Sequence, residues 1–364
     1  MRIAFVYYSN ASDAIGIDNK MLSYKKAAGH LNFDSIIYKI QSLYLSDELI
    51  NIWAIIKSNE NVYLIRYNNS RNIFLFLMIV ILKIRKKRII LDVPTPLTNY
   101  LKELNLSSAL SFKRFLIKFS TYILGPLPFF ISDLVVQYAE ESAYFNPKLV
   151  KSILIGNGID ANQVINLVDS INSSMFVEKY NFNTNYLNVV SLGSVAPWHG
   201  WDKLINLISK INKTREIPLR YYIIGDGIEL DNLKKMVIQN NVCDSVFFLG
   251  KMKREEYVPF ISCCDLGIGS LAWDRVGVTI ASPLKSREYI CCGIPVVYSS
   301  FDIDISNSPF GFEISTDSLS IYKFTTEVDK LALNKKKSDY FEFARGNLDM
   351  KIKLFYILST ANII

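Results

Sequence analysis

Short apolar runs alternate along this chain with longer stretches of helical period, and the alternation runs through twice. In the first pass, residues 2–7, 35–40, 62–65, 88–92, 133–137 and 152–155 read as strands, with helical patterns at 19–29, 47–57, 73–83 and 112–123. Strands that short and apolar have both faces buried. Helices between them make neighbouring strands parallel, so the pattern predicts a parallel sheet wrapped on both sides. Residues 161–188 lose the pattern and are rich in Asn and Ser, which predicts a linker region with room for a short helix. The alternation restarts with strands at 187–192, 219–224, 245–249, 265–269 and 295–298, and helices at 202–213, 229–240, 255–262 and 283–292. A last helical stretch at 338–358 ends in the apolar KIKLFYIL. At 364 residues the chain is long for one core and suits two. We therefore expect an α/β architecture of two Rossmann-like doubly wound parallel-sheet domains, at 1–165 and 187–336. A linker at 166–186 joins them, and C-terminal helices at 337–364 are available to pack back on the first domain. Open α/β sheets bind ligands at strand carboxyl ends, so two facing sheets would hold a site in the cleft between them.

Composition narrows the function. Half the residues are hydrophobic, which excludes general disorder. The formal charge is +7, with basic runs at 83–88 and at Lys113, Arg114 and Lys118. Such patches suit anionic lipid headgroups or a polyanionic substrate, or are simply solvated helix ends. No nucleic-acid recognition motif accompanies them, so no nucleic-acid partner is expected. The opening MRIAFVYY reads as a strand and not as a signal peptide. Residues 74–82 are too short to span a bilayer, and 121–130 are broken by Gly125, Pro126 and Pro128. A cytoplasmic protein without a transmembrane helix is the expectation. The five cysteines include two adjacent pairs, which lack zinc spacing and read as buried free thiols. No metal is expected.

The most punctuated stretch is SPLKSREYICCGIPVVYS at 282–299. Ser282 reads as an N-cap, Pro283 as the first helical residue and Gly293 as the left-handed stop, with Pro295 blocking continuation. The backbone of Ser282, Pro283 and Leu284 would then open a helix whose N-terminus suits a phosphate. Lys285 adds a full charge, and Glu288 lies at i+3, so both could address one ligand. A cation for phosphate and a carboxylate for sugar hydroxyls would serve a nucleotide-sugar site. A plain surface Lys–Glu pair is the other reading.

Other strand ends carry similar devices. Gly193-Ser194 turns after a strand and precedes Trp198, His199 and Trp201. His199 could donate to a phosphate or a sugar hydroxyl. Gly225-Asp226-Gly227 turns from strand to helix, and Lys251-Met252 follows the strand stop at Gly250, where backbone could read a nucleobase. Arg275 sits in the loop before Ser282, in reach of a donor sugar. Each of these alone is equally ordinary loop chemistry.

In order, GS–WHGWDKLI, IIGDG-x-EL-x-x-LK, VFFLG, CDLGIGSL and SPLKSREYICCGIPVV resemble the second half of retaining glycosyltransferases of family 4, the group 1 enzymes of the GT-B fold. Gly16, the AGH at 28–30, LDVPT at 91–95 and IGNGID at 155–160 are looser landmarks in the first half. The resemblance implies a nucleotide-diphosphate sugar donor on the second domain and an acceptor on the first. It implies retention of configuration with no required metal or other cofactor. Glu288 would hold the ribose, Gly193-Ser194 would approach the diphosphate, Lys285 would be the phosphate cation, and backbone after Gly250 would meet the base. Stabilising the departing diphosphate is then the main catalytic effect.

The chain also departs from the family pattern. The paired glutamates of E-x7-E become Ile280 and Glu288, and the cations usual after the first strand are replaced by Ser194 and His199. Lys285 or His199 would have to compensate. Gly16, Asp92 and Thr95 are the acceptor-side candidates, with Asp92 either positioning or deprotonating an acceptor hydroxyl or merely capping a loop. Residues 111–130 interleave basic and bulky apolar side chains, which suits docking on the inner leaflet as well as an ordinary core helix. Docking would fit a polyprenyl-linked glycan acceptor in surface polysaccharide assembly. Two alternatives stay open: a catalytically silent GT-B protein that binds a nucleotide sugar or a partner enzyme, and a sugar-nucleotide epimerase. With two histidines in the chain, the epimerase is poorly equipped with acid/base groups.

Overall fold

The computed structural model describes residues 1–8, 15–41, 44–68, 72–106, 111–142, 145, 151–169, 182, 185–214, 216–317 and 336–364. The chain forms two compact units, Met1–Asp160 with Met350–Ile364, and Ala161–Asp349.

Unit 1 runs β1 (Arg2–Tyr8), α1 (Ile15–His30), β2 (Asp34–Ile40), α2 (Leu45–Lys57), β3 (Val62–Arg66), α3 (Asn72–Ile84) and β4 (Arg88–Val93). It continues with α4 (Leu97–Leu106), α5 (Ser111–Leu124), α6 (Leu127–Ile131), β5 (Leu134–Gln137) and β6 (Ser152–Leu154). The strands form one parallel sheet in the order β2-β1-β3-β4-β5-β6. The inner strands are buried along their length, as the unbroken apolar runs required. One face packs on Ile52, Ile55, Leu75, Met78 and Phe129, and the other on Met21, Tyr24 and Ala28.

Unit 2 runs α7 (Ala161–Asp169), β7 (Leu187–Leu192), α8 (Trp201–Thr214), β8 (Leu219–Ile224), α9 (Leu230–Gln239), β9 (Val246–Gly250), α10 (Arg254–Ser262) and β10 (Leu266–Ile268). Then come α11 (Leu284–Cys291), β11 (Val296–Tyr298), β12 (Gly311–Glu313) and α12 (Lys337–Phe343). Its parallel sheet is ordered β12-β11-β10-β7-β8-β9.

Two expectations need correction. The first unit ends at Asp160, not near 165, because α7 packs against α10 and α11 of unit 2. Residues 338–358 are not one helix. A π-helical turn at Ala344–Leu348 and the extended Asp349 break it, and α13 (Met350–Thr360) belongs to unit 1. There Met350, Leu354, Ile357 and Leu358 are buried beside Met21, Tyr24 and Ala27. Among the described residues, no helix is long and apolar enough to cross a membrane.

Candidate functional site

A chain that starts a sheet in the middle and grows it outward both ways leaves a crevice at the switch point. In unit 2 that point lies between β7 and β10. Gly193 follows β7 with φ +138, a conformation open to glycine. The 3-10 turn Pro197–His199 comes next, and Ser270 follows β10. His199 is buried, stacked on the Trp201 ring at 5.1 Å, with its Nδ1 2.7 Å from Ser270 Oγ. The Lys285 ammonium, from the first turn of α11, reaches this same nitrogen at 3.1 Å and lies 4.9 Å over the Trp201 ring.

Lys285 and His199 therefore form one unit. Burial lowers the Lys285 pKa to about 7. His199 is held well below its ordinary range, first by burial and then by the neighbouring Lys285 charge. A neutral imidazole that accepts at Nδ1 carries its proton on Nε2. Both groups converge on Gly193. A Cβ there would stand 3.6 Å from Lys285 Nζ and 4.0 Å from His199 Nε2. The missing side chain leaves two donors facing bare backbone, which suits a phosphate oxygen.

The helix that carries Lys285 starts one residue later than the sequence suggests. Pro283 is its N-cap, extended at φ −71 and ψ 139, and no side chain caps it. Ser282 is therefore not the cap, because proline's fixed φ serves the N-cap as well as the first helical position. Leu284 and Lys285 supply the first helical N–H groups, which have no intrahelical acceptor by geometry.

Glu288 does not share Lys285's partners. Its Oε1 accepts from Arg254 Nη2 at 2.7 Å and from Tyr257 Oη at 2.8 Å, and all three residues are buried. The pair is neither on the surface nor aimed at one group. Ile280 forms a single parallel bridge to Phe301, and the adjoining Ala281 N–H and Thr279 C=O bond the Phe301 backbone.

The glycines of the next turn pack backbone on backbone. A Cβ on Gly225 would fall 1.8 Å from Gly193 O, and one on Gly227 would fall 2.4 Å from Val195 O. Gly193 N–H donates to Ile224 O, Val195 N–H to Asp226 O, and Gly225 N–H to Gly250 O. The strand ends are thereby laced into one ledge. Asp226 accepts from its neighbour Gly227 N–H and pairs across 3.6 Å with the exposed Lys251, beside half-buried Met252. Ser194 is exposed on the ledge. Arg275 is engaged elsewhere: it clasps Asp202 through both terminal nitrogens and donates to Pro197 O. It fastens the Pro197–His199 turn and is not a free donor-sugar contact.

In unit 1, Asp92 is fully buried and faces Lys20 at 3.0 Å and Arg66 at 3.1 Å, with Tyr138 Oη donating as well. Burial would raise its pKa, but the Lys20 and Arg66 charges outweigh this and hold it below the ordinary range. A carboxylate so paired is a poor base, and its side chain bonds Lys20, Arg66 and Tyr138 and no loop backbone, which speaks against deprotonation and against capping. Gly16 lies in the first turn of α1, not in a loop, and needs no special backbone angle. Thr95 is half-buried after β4. A pocket of about 230 Å³ opens at the β1/β3 switch point, lined by Tyr8, Ile17, Arg66, Tyr67, Pro94 and Tyr100. Gly16 and Thr95 adjoin its lining in sequence. Among the described residues, no cluster of His, Cys, Asp and Glu could hold a metal ion.

Sequence reasoning missed Ser270, Arg254, Tyr257, Lys20 and Arg66. Arg254 and Tyr257 sit one turn apart on α10, a spacing that marks a shared helix face but names no target. Lys20 and Asp92 are separated by 72 positions, and nothing local links them.

Residues 173–303 match the family "Glycosyl transferases group 1". The chain is 25% identical over 176 residues to the O-antigen biosynthesis glycosyltransferase WclY of Escherichia coli, a match covering 48% of this chain and 45% of that protein. The match thus spans less than half the length of that relative. Among solved structures, sucrose-phosphate synthase from Thermosynechococcus elongatus superposes with TM-score 0.68 at 11% identity, over 98% of each chain. Anabaena Alr3699/HepE, solved in complex with UDP-glucose, superposes with TM-score 0.65 at 14% identity, over 99% of this chain and 100% of that one. The shared architecture is the GT-B fold.

Proposed function

We propose that this chain, whose residues 173–303 match the group 1 glycosyl transferases, moves a sugar from a nucleotide-diphosphate donor to a lipid-linked glycan in surface-polysaccharide assembly. The observation that carries this reading is the Lys285–His199 pair over the open Gly193 backbone, at the switch point of the second sheet. The diphosphate binds there, with Lys285 Nζ and His199 Nε2–H on its oxygens and the α11 N–H groups on the far side. Glu288, oriented by Arg254 and Tyr257, meets the ribose. Ledge backbone after Gly250 meets the base.

In the reaction, the bond from the sugar's anomeric carbon to the diphosphate oxygen breaks. A bond to the acceptor oxygen forms on the same face, and the acceptor's proton goes to the departing diphosphate. Retention follows from this front-face course. Lys285 takes up the charge that develops on the leaving group, which is the largest catalytic effect in such a site. This assignment requires no metal, so a chelator leaves the rate unchanged. The WclY match supports an O-antigen type of acceptor. Residues 111–130, with their basic and aromatic side chains, bring the enzyme to the inner leaflet where such an acceptor resides.

A thermal-shift screen against UDP, GDP, ADP and TDP and their sugars tests the donor site, because a ligand specific to the folded state raises Tm. One nucleotide should stabilise the wild type and not Lys285→Ala; wild-type turnover in that variant refutes the role of Lys285. A second reading, a silent nucleotide-sugar-binding protein, is favoured by Ile280 in place of the first glutamate. Slow donor hydrolysis without acceptor separates the two, since a silent protein gives none.

A further inference from the structure

Unit 1 carries apolar side chains where a water-soluble surface has no use for them. On α2, Ile50 and Trp53 are exposed; on α3, Leu77 and Ile81; on α5, Phe115 and Phe119. Each is exposed to between 37% and 66%. On α3 and α5 these pairs lie four residues apart, so each forms a stripe on one helix face. The stripes of α2 and α3 are not spare core, because Ile52, Ile55, Leu75, Met78 and Ile79 of the same helices already fill the sheet-facing side. Helix α3 packs against both α2 and α5, so the three stripes are neighbours. Single exposed apolar residues are ordinary, but stripes on three adjacent helices mark an interaction face.

Charge says what covers it. Helices α2, α3 and α5 contain five Lys or Arg residues against Asp47 and Glu48 of α2, and Glu48 is buried. Lys83 pairs with Asp133, and the half-buried Arg114 and Lys118 sit on α5, the helix that carries the exposed Phe115 and Phe119 rings. Lys57 holds its ammonium 4.8 Å over the exposed Trp53 ring, and the exposed Lys86 follows α3 directly. Bulky apolar side chains with flanking cations and an exposed indole match an anionic bilayer surface, where the apolar groups enter the acyl boundary and the cations meet headgroups.

We propose that α2, α3 and α5 together form one membrane-contact face that seats unit 1 on an anionic bilayer, with α3 at its centre and Trp53 as an interfacial anchor. This deepens the lipid-surface part of the proposed function and rests on it. It differs from docking through residues 111–130 alone in a testable way: α3, which lies outside that stretch, is needed for binding.

The test is flotation of the full chain with vesicles of phosphatidylcholine mixed with phosphatidylglycerol, and of phosphatidylcholine alone. Wild type should float with the mixed vesicles and much less with the neutral ones. Leu77→Glu with Ile81→Glu should lower partitioning at least about tenfold, because two apolar side chains that enter the acyl boundary become carboxylates that the anionic headgroups repel. Because both positions are exposed, Tm should stay at the wild-type value. Should that variant not fold, brominated lipid in mixed vesicles gives a second measurement: it should quench wild-type emission and leave that of Trp53→Phe largely unquenched. No flotation, equal flotation of the α3 variant, or equal quenching in both proteins overturns the proposal. Sedimentation as a dimer that the α3 variant breaks, without vesicle binding, also overturns it and assigns the face to a second copy. The nucleotide thermal shift reports on unit 2 alone. A retained shift with lost flotation leaves the transferase reading standing, and a lost shift with retained flotation does the reverse.

Discussion

Lys285 Nζ lies 3.1 Å from His199 Nδ1, a contact made 86 positions apart that places a buried amine and a buried imidazole on one side of Gly193. Neither group is charged comfortably there. An anion that enters changes both, and the consequences are measurable.

Nucleotide-diphosphate binding should take up a proton. Lys285 has its pKa lowered to about 7 by burial, so the free site is only partly charged at neutral pH. A bound diphosphate favours the ammonium and raises that pKa. Affinity should therefore fall as pH rises above about 7, by up to about tenfold per unit. Calorimetry in buffers of different ionisation enthalpy reads the uptake directly, and Lys285→Met should abolish it. The same group affects stability. The unfolded chain keeps its proton up to about 10.5, so between about 7 and 10.5 the unfolded state holds more protons and stability rises with pH. That rise should be absent in Lys285→Met.

Glu288→Ala should destabilise unit 2 as well as weaken ribose binding. It leaves Arg254 buried without the carboxylate it faces at 2.7 Å, a change that costs about 3–5 kcal/mol. Glu288→Leu combined with Arg254→Met should recover most of that loss in urea denaturation while donor binding stays low. Recovery of both would mean that the carboxylate orients structure and does not touch the donor.

Gly225→Ala should disorganise the ledge. The new methyl would fall 1.8 Å from Gly193 O, at a φ of +136 that L-residues rarely adopt. Both strand-end turns must separate, moving Gly193 away from Lys285 and His199. Nucleotide affinity should drop by more than tenfold while circular dichroism changes little; unchanged affinity would show that the ledge does not hold the diphosphate.

Asp92→Asn should weaken unit 1 by about 3–5 kcal/mol, because Lys20 and Arg66 lose the carboxylate that balances them. The folded pKa of Asp92 lies below its unfolded value, so its contribution is present above about 3.9 and lost as pH falls. An acid-unfolding profile should therefore flatten in the variant. A kcat profile that loses its acid limb without loss of stability would instead restore Asp92 as a base.

Element type was legible almost everywhere, because apolar runs and helical periods are local quantities. The strands at 187–192 and 219–224 match to the residue. Short helices were harder. Helix α4 opens beyond Pro94 and Pro96, with Glu141 bonding the Leu97 and Thr98 N–H groups from 44 and 43 positions away, so its stabiliser is not local. Helix α6 was hidden by Pro126 and Pro128, which its first turn accommodates.

Residue chemistry shows a similar division. Local pattern by itself determined two parallel sheets and a cation in the first turn of the helix read at 283–292, since both depend on neighbours in the chain. Which partner each charge meets was decided by tertiary structure. Lys285 turns to His199, Glu288 to Arg254, Arg275 to Asp202 and Asp92 to Lys20, over separations of 86, 34, 73 and 72 positions. Burying a charge is costly until an acceptor or an opposite charge is found, and the fold, not the local sequence, brings that group within reach.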